Sequence, residues 1–358
     1  MKKEKNILTI QEADILSVLY KEPFVNQRIL SETSGHSLGV VNRSLHSLIA
    51  TGYLDESGQL TSQGKKIIKS RTPRNAIILA AGFGMRMVPI NLFTPKALLE
   101  VNGERLIDRL IMQLKEVGVE EIIVVVGFMK DSFEYLIDEY DVELVYNPDF
   151  ASTNNIRSLS LVLDRLSNTY IVPSDIWCDT NPFRKTELYS WYMVSDMIDE
   201  ESTVRVNRKM ELVFGSPGNS MVGISYLLAP DAAVVIDKIQ KLIQDGKHNN
   251  FFWEAALYHK DRMIVQARVV HGTDVVEINT YEQLRDLDSE SNQLKSNTIK
   301  TIAKVLGCME NDVKEINVLK KGMTNRSFLF EVKGEKYIMR VPGEGTDQLI
   351  NRKQEAEV

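Results

Sequence analysis

The sequence predicts an α/β protein with a doubly wound, mostly parallel sheet, preceded by a small helical unit and followed by an α+β segment. Three observations support this prediction. From Asn75 onward, short apolar runs alternate with amphipathic segments, which is the pattern of β-α-β units. The first run, at residues 77–79, leads into a turn rich in Ala and Gly. Residues 122–126 are continuously apolar, as expected for a parallel strand buried on both faces.

The composition is that of a globular protein with room for two or three domains. The chain has 358 residues, of which 43% are hydrophobic and 26% charged. Its two cysteines, Cys178 and Cys308, lack the number and spacing of a disulfide framework or a metal site. The N-terminus has no apolar core of signal-peptide length, and no apolar run approaches the roughly 20 residues that span a bilayer. We therefore expect a cytoplasmic protein without membrane contact.

The first 72 residues predict a separate helical domain, residues 1–72. Apolar spacing indicates helices at residues 10–20, 26–33 and 37–50, followed by two short extended pieces around a Ser-Gly turn. This order resembles a winged helix-turn-helix, with residues 37–50 in the position of the recognition helix.

The charge of this domain leaves its partner open. Residues 1–72 hold ten Lys or Arg against seven Asp or Glu, a net charge of +3. Because the whole chain has a net charge of −6, the remaining residues carry −9. DNA contact through Arg43, His46, Lys65 and Lys66 is one interpretation. The predicted recognition helix holds one arginine and no lysine, so a protein partner or a regulatory role is equally consistent.

Residues 76–101 contain the densest pattern of potentially functional side chains. A turn of small residues lets backbone N–H groups approach an anion closely, and Arg86 and Lys96 supply positive charge nearby in sequence. The spacing matches neither the Rossmann nor the P-loop glycine pattern. The residues predicted to form this phosphate-binding turn are Leu79, Ala80, Ala81, Gly82 and Gly84.

The string LAAGxGxR followed by TPKxLxxV resembles the nucleotidyltransferase family that makes NDP-sugars and CDP-alcohols. The resemblance implies a nucleotide-diphospho-sugar transferase-like fold over residues 75–290. It also implies that Lys96 and Arg86 are the catalytic cations that steady the α-phosphate and the departing pyrophosphate.

The segment around Asn154 bears on the acceptor substrate. Sugar-nucleotide enzymes usually have a glycine-rich segment here. The Asn-Asn-x-x-Ser-Leu pattern of this chain looks instead like bacterial choline-phosphate cytidylyltransferases; its residues are Asn154, Asn155, Ser158 and Leu159. The resemblance implies CTP and phosphocholine as substrates, although Asn154 could also simply cap a helix. Aromatic faces attract cations, so the aromatic residues after position 181 are candidates to surround a quaternary ammonium: Trp191, Tyr192, Tyr226, Phe251, Phe252 and Trp253. Of these, Trp253 with its neighbour Glu254 is predicted to bind it.

A metal site is predicted from the ends of two strands. Asp175 follows the apolar strand at residues 170–172, and the resemblance implies that it is the first ligand of Mg²⁺, a cation that takes oxygen ligands. The family pattern Glu-Ile-Asp reads Glu277, Ile278 and Asn279 in this chain. Glu277 and Asn279 are therefore the other candidate ligands, and Asn279 brings no negative charge.

Residues 296–358 predict a helix at 298–306 followed by a hairpin, with a polar phosphate-covering loop at 322–327. They resemble the start of a bacterial choline kinase of the aminoglycoside-phosphotransferase type. The resemblance implies that Arg340 lies at the ATP phosphates and pairs with Glu355. It also implies that the chain is a fragment of a bifunctional protein.

Two alternative functions remain open at this point. The first is a nucleotidyltransferase for another acceptor, such as a sugar 1-phosphate or an aminoalkyl phosphonate. The second is a DNA-binding regulator whose transferase domain senses a ligand without turnover.

Overall fold

The computed structural model describes residues 8–82, 94–244, 250–288, 297–320 and 325–342. Contacts divide the chain into two compact units. The larger, unit 1, comprises Met1–Ala81, Leu110–Pro173 and Cys178–Val276, and the smaller, unit 2, comprises Gly82–Arg109, Ser174–Trp177 and Glu277–Val358.

The α-helices of the described residues are α1 Ile10–Lys21, α2 Gln27–Ser34, α3 Leu38–Ala50, α4 Ser62–Ser70, α5 Leu106–Glu116, α6 Tyr135–Tyr140, α7 Asn155–Ser160, α8 Ala229–Gln244, α9 Tyr281–Leu287 and α10 Asn297–Leu306. The strands are β1 Asn75–Ala80, β2 Glu100–Val101, β3 Glu104–Arg105, β4 Glu121–Val126, β5 Glu143–Tyr146, β6 Thr169–Pro173, β7 Ile176–Cys178, β8 Trp191–Asp199, β9 Val204–Val206, β10 Glu211–Phe214, β11 Gly218–Leu227, β12 Tyr258–His259, β13 Arg262–Val270, β14 Val275–Glu277, β15 Lys314–Lys320, β16 Asn325–Val332 and β17 Glu335–Pro342. None of the described helices has the length and apolar character needed to cross a membrane.

The N-terminal helices form where the sequence predicts them, and side-chain caps begin α1, α2 and α4. Thr9 and Glu12 form a reciprocal capping box at the start of α1, and the Asn26 side chain accepts a hydrogen bond from the backbone N–H of Ile29 in α2. A bridge between Leu54 and Leu60 closes the short extended pieces before α4. These elements agree with the expected order, and the interpretation as a winged helix stays a prediction.

The side chains of α3 that we proposed for DNA contact are accessible. Arg43 and His46 lie on the exposed face of the helix, opposite its buried residues Val41, Leu45 and Leu48. Acidic Asp55 and Glu56 are exposed in the turn before α4. DNA contact at this surface stays a prediction.

The sheet of unit 1 is mixed, so the expectation of a mostly parallel sheet is wrong. Its ten strands run in the order β5-β4-β1-β6-β11-β8-β13-β10-β9, with β12 paired to β13. The strands from β5 to β6 are parallel, as predicted. β11 is antiparallel to both of its neighbours, and β10 is antiparallel to β9 and β13. A short connection joins the antiparallel neighbours β9 and β10, whereas β8 and β13, which are parallel, are separated by a long stretch of chain, as parallel pairing requires.

The central strand β1 ends against a tight contact that leaves no room for a side chain. The backbone N–H of Phe128 donates to the carbonyl oxygen of Ala81 at 3.2 Å. A Cβ atom at Gly127 would lie 2.7 Å from that same oxygen and 2.6 Å from Cβ of Phe150. Gly127 therefore permits the end of β1 to approach the segment that follows β4.

We expect Gly127→Ala to lower the free energy of unfolding by about 1–3 kcal/mol, because an added methyl group forces apart a packed contact. Urea-induced unfolding of the full chain measures this change. Gly39→Ala is the matched control, since a Cβ atom there meets no described atom within 4 Å apart from its chain neighbours and the backbone of its own helix. Equal stability of the two variants would contradict the prediction.

Unit 2 combines the segment after the glycine turn with the C-terminal residues. β2 and β3 form a hairpin through Asn102 and Gly103, both at positive φ as such a two-residue turn requires. At the C-terminus, β15, β16 and β17 form an antiparallel sheet, and Lys333 and Gly334 make the predicted hairpin turn.

Two details of the C-terminal prediction change or remain open. Residues 325–327 belong to β16 and pair with β17, so that part of the predicted loop at 322–327 is wrong. Residues 322–324 and Glu355 lie outside the described residues. Arg340 lies on β17 with an exposed side chain. The resemblance to a kinase lobe stays a prediction.

Candidate active site

Three side chains predicted for catalysis and metal binding meet in unit 2. The ammonium nitrogen of Lys96 lies 2.5 Å from Oδ2 of Asp175 and 2.7 Å from Oδ1 of Asn279, and it donates a hydrogen bond to each. The side chains of Lys96 and Asp175 are 10% and 22% exposed. These residues, separated by up to 183 positions in the chain, form one cluster, which is called the Lys96 cluster below.

Backbone contacts set the position of each member of the Lys96 cluster. Lys96 begins a single 3₁₀ turn, Lys96–Leu98, directly after Pro95. Asp175 comes two residues after β6, and its carbonyl oxygen accepts a hydrogen bond from the N–H of Ile278 at 2.9 Å. This bond places Asn279, the next residue along the chain, beside the aspartate.

The N-terminal cap of α9 orients Asn279. The side-chain oxygen of Gln283 accepts from the N–H groups of Asn279 and Thr280 at 2.6 and 2.9 Å, and the Thr280 hydroxyl caps the N–H of Gln283. These are the reciprocal bonds of a capping box. Since the helix cap fixes its backbone, Asn279 presents its amide oxygen to Lys96.

The oxygen atoms in the Lys96 cluster are of the kind that Mg²⁺ prefers, and in this structure both accept hydrogen bonds from the Lys96 ammonium, so metal binding stays a prediction. Asp175 contributes a carboxylate and Asn279 an amide oxygen, both within hydrogen-bond distance of one atom. Mg²⁺ is commonly bound by one or two carboxylates together with substrate phosphates, and it does not need a cage of protein ligands. Among the described residues, no three His, Cys, Asp or Glu side chains are grouped for metal binding. Glu277 ends β14, two positions before Asn279, and is half-buried.

The predicted nucleotide-binding residues lie at the end of β1. Leu79 and Ala80 are its last two residues, Ala81 is buried and Gly82 is exposed. The carboxyl end of a parallel strand is where α/β sheets bind their ligands. Gly84 and Arg86 fall within residues 83–93, outside the described residues, so their predicted contacts stay predictions.

The structure brings together the four residues predicted for acceptor binding. Asn154 caps α7, and its amide nitrogen also donates to the carbonyl oxygen of Asn250 at 3.3 Å. Oδ1 of Asn155 accepts from the backbone N–H of Trp253 at 2.7 Å. Oε1 of Glu254 accepts from the Tyr192 hydroxyl at 3.1 Å. Both interpretations of Asn154, helix cap and pocket residue, are compatible with these contacts.

The aromatic residues of this region differ sharply in exposure. Trp253 is 1% exposed and packs in the main hydrophobic core of unit 1. Its neighbours Phe251 and Phe252 are 43% and 62% exposed. In this structure Trp253 therefore anchors Asn155, while the accessible rings belong to Phe251 and Phe252. Binding of a quaternary ammonium by Trp253 stays a prediction.

A second polar cluster, in the core of unit 1, was missed by the sequence analysis. The carboxylate of Glu187 accepts two hydrogen bonds from Arg268, at 2.8 and 2.6 Å, one from the Tyr170 hydroxyl at 2.9 Å and one from the Trp191 ring N–H at 3.0 Å. The guanidinium carbon of Arg268 lies 3.6 Å from the centroid of the Trp191 ring. Trp191 thus does bind a cation, but the cation belongs to the protein itself.

The burial of this Glu187 cluster alters the acidity of its members. Glu187 and Arg268 have side chains that are only 2% and 9% exposed. Burial raises the pKa of Tyr170 well above its usual value, and the negative charge of Glu187 raises it further. The phenol therefore stays protonated and donates to Glu187.

Known proteins resemble the central part of the chain. A sequence profile of the MobA-like NTP transferase domain matches residues 76–185. A choline-phosphate cytidylyltransferase of Streptococcus pneumoniae is 33% identical over 220 residues, which is 60% of this chain and 96% of that protein. A 2-aminoethylphosphonate cytidylyltransferase of Lancefieldella rimae is 33% identical over 230 residues, which is 60% of this chain and 92% of the relative.

A solved structure agrees with these sequence matches. The CTP:phosphocholine cytidylyltransferase of Streptococcus pneumoniae superimposes with a TM-score of 0.56 and 32% identity, covering 60% of this chain and 98% of that one. The matched fold, the strand-end motif and the Lys96 cluster agree with the expected nucleotidyltransferase. The chain therefore belongs to the NTP transferase family, and its transferase domain is of the choline-phosphate cytidylyltransferase-like kind.

Proposed function

We propose that the protein transfers CMP from CTP to phosphocholine, giving CDP-choline and pyrophosphate. The observation that carries the proposal is the Lys96 cluster, in a chain that matches 96% of a choline-phosphate cytidylyltransferase. The Lys96 ammonium, held in place by two oxygen acceptors, is suited to a reaction whose substrates and products carry several negative charges.

The proposed reaction is a single displacement at phosphorus. An oxygen of the phosphomonoester attacks the α-phosphorus of CTP, and the bond to the β-phosphate oxygen breaks to release pyrophosphate. A phosphomonoester has its second pKa near ~6, so the attacking oxygen is already ionised and needs no general base. The protein therefore contributes positioning and neutralisation of charge.

The described residues can be given roles in this reaction. Lys96 donates hydrogen bonds to oxygens of the α-phosphate, and the backbone N–H of Gly82 contributes to binding the triphosphate. Asp175 and Asn279 would hold Mg²⁺, which supplies positive charge to the phosphate oxygens. Arg86 is proposed to steady the departing pyrophosphate, in line with the family motif.

Two acceptors compete within this proposal. Phosphocholine is favoured by the Asn154 and Asn155 pattern and by the match to the pneumococcal enzyme. An aminoalkyl phosphonate is favoured by the equally identical 2-aminoethylphosphonate enzyme. Quaternary and primary ammonium groups differ in hydrogen bonding, because a primary ammonium donates three hydrogen bonds and a quaternary ammonium none.

The test is pyrophosphate release by the full chain with Mg²⁺, crossing CTP, UTP, ATP and dTTP against phosphocholine, phosphoethanolamine, 2-aminoethylphosphonate and glucose 1-phosphate. We expect turnover with CTP and phosphocholine. Preference for 2-aminoethylphosphonate would replace the acceptor in the proposal, and preference for another nucleotide would replace CTP. Absence of turnover with every pair would overturn the enzymatic proposal.

The remainder of the proposal concerns the flanking segments. We propose that the C-terminal residues begin a choline kinase domain of a bifunctional protein, in which a kinase supplies phosphocholine to the transferase. The resemblance of residues 296–358 supports this. Phosphocholine, the product of such a kinase, is also the acceptor that we propose for the transferase. The N-terminal helices would provide a DNA or protein contact through the exposed face of α3.

A further inference from the structure

The C-terminal segment shares a hydrophobic core with the segments that carry the Lys96 cluster. This core, called the unit 2 core below, lies wholly within unit 2. The segments that carry Lys96, Asp175 and Asn279 contribute Leu99, Val101, Leu106, Trp177, Ile278 and Leu284. The C-terminal segment contributes Ile299, Ile302, Val313, Ile316, Phe330 and Val332. The family profile ends at residue 185 and does not include the C-terminal part.

Each member of the Lys96 cluster is tied to this core through its own neighbours. The N–H of Leu99, which is fully buried, donates to the carbonyl oxygen of Lys96 at 3.2 Å. Ile278, also fully buried, donates to the carbonyl oxygen of Asp175 and directly precedes Asn279. A displacement of the core side chains therefore moves the backbone that presents the three polar groups.

Trp177 adds a further connection between core and cluster. It lies two residues after Asp175 and is 5% exposed. Arg109 covers its ring at 4.2 Å, and Arg109 also donates to Glu104 at 2.7 Å. The Trp177 ring is thus held between this cation and the unit 2 core, and rotation of the ring would disturb the segment carrying Asp175.

We propose that residues 297–320 and 325–332 are a positioning element of the transferase site. Their buried side chains support the backbone around Lys96, Asp175 and Asn279 through the unit 2 core. We assign none of these buried side chains a contact with the substrate. Packed interiors transmit small displacements, since they have few voids. A misplacement of catalytic groups by ~1 Å costs about 100-fold in rate, so loosening this core is expected to reduce turnover.

The test compares substitutions on one helix, α10. Ile302 is 4% exposed in the unit 2 core, whereas Val305 is 74% exposed on the same helix. We expect Ile302→Ala to lower kcat by about 10-fold or more, Ile302→Val to lower it less, and Val305→Ala to leave it unchanged. The KM for the acceptor should stay near the wild-type value, because the proposed acceptor residues Asn154, Asn155 and Glu254 belong to unit 1.

This proposal rests on the proposed function for its kinetic readout, so a second readout is independent of turnover. Lys96 is buried and hydrogen-bonded, while Lys115 on α5 is exposed. Acylation by an amine-reactive reagent, followed by mass spectrometry, measures the accessibility of each. We expect Ile302→Ala to accelerate acylation of Lys96 about 10-fold relative to Lys115, since loss of packing increases local opening.

The outcomes separate the two proposals. If the wild-type protein is inactive but Ile302→Ala still accelerates acylation of Lys96, the transferase proposal is overturned and the positioning role is supported. If the wild-type protein is active but Ile302→Ala changes neither kcat nor the acylation of Lys96, only the positioning role is overturned. A fall in kcat that is equal for Ile302→Ala and Val305→Ala would also overturn it. If Ile302→Ala does not fold, Ile302→Val against Val305→Ala gives the same comparison at a smaller perturbation.

Discussion

Substitution of Lys96 by alanine is expected to lower kcat for cytidylyl transfer by about 10²–10³-fold, the usual effect of removing one donor from a site that stabilises developing charge. Lys96 contacts both Asp175 and Asn279, at 2.5 and 2.7 Å. Its loss removes the ammonium proposed for the α-phosphate and leaves those two oxygen groups without their shared donor. Single-turnover measurement of pyrophosphate release at saturating CTP and Mg²⁺ reports this effect directly.

Two variants show whether the ammonium itself is responsible. Lys96→Arg keeps the charge but presents a planar fork, and we expect it to recover only a small part of the lost rate because the two cations differ in geometry. Lys115→Ala removes an exposed lysine and should retain the wild-type rate. Wild-type turnover in Lys96→Ala would exclude the proposed role of this residue, provided that thermal unfolding shows both proteins folded.

The convergence of Lys96, Asp175 and Asn279 was the most predictable part of the site. Asp175 follows the buried strand β6. Asn279 follows β14 and stands where the family pattern Glu-Ile-Asp has its aspartate. Strand ends carry ligand-binding groups in α/β folds, so motif and periodicity together predicted that these side chains lie close to one another, and their roles stay predictions. The direct contact of Lys96 with both oxygens was not predicted, because spacing along a chain does not give distances.

Apolar periodicity indicated which residues are buried but not what they pack against. The helix at 298–306 was expected from its spacing, and α10 is observed at Asn297–Leu306. Its packing against the catalytic segments has no local signature, since Ile299 and Trp177 are distant in sequence. The same limit applies to the sheet, because the antiparallel pairing of strands far apart in sequence, such as β6 with β11, has no local signature.

Charged residues in the core were the least predictable feature. Glu187 and Arg268 lie 81 positions apart and have no motif around them. The aromatic residues near them, Trp191 and Tyr192, were interpreted as possible ligand contacts because aromatic faces attract cations. In the structure Trp191 contacts Arg268 and Tyr192 contacts Glu254. Composition cannot distinguish a ligand cation from an arginine of the same chain.

Glu187→Ala is expected to destabilise unit 1 by about 3–5 kcal/mol, the usual cost of breaking a buried ion pair by removing one partner. The substitution leaves the Arg268 guanidinium, with a side chain only 9% exposed, without its carboxylate. It also removes the acceptor of the Tyr170 hydroxyl and of the Trp191 ring N–H. Urea-induced unfolding followed by tryptophan fluorescence measures the change, because Trp191 lies within the cluster.

The origin of that loss can be separated into charge and packing by further substitutions. Glu187→Gln retains the shape but not the charge, so a loss close to that of Glu187→Ala would assign the effect to charge. Combining Glu187→Ala with Arg268→Met removes both charges, and we expect it to be less destabilising than Glu187→Ala alone, since no buried cation remains unpaired. Glu121→Ala breaks the exposed pair with Arg165 and should change stability little. A double variant that is less stable than Glu187→Ala would instead show that the Arg268 contact with Trp191 stabilises the core without its carboxylate.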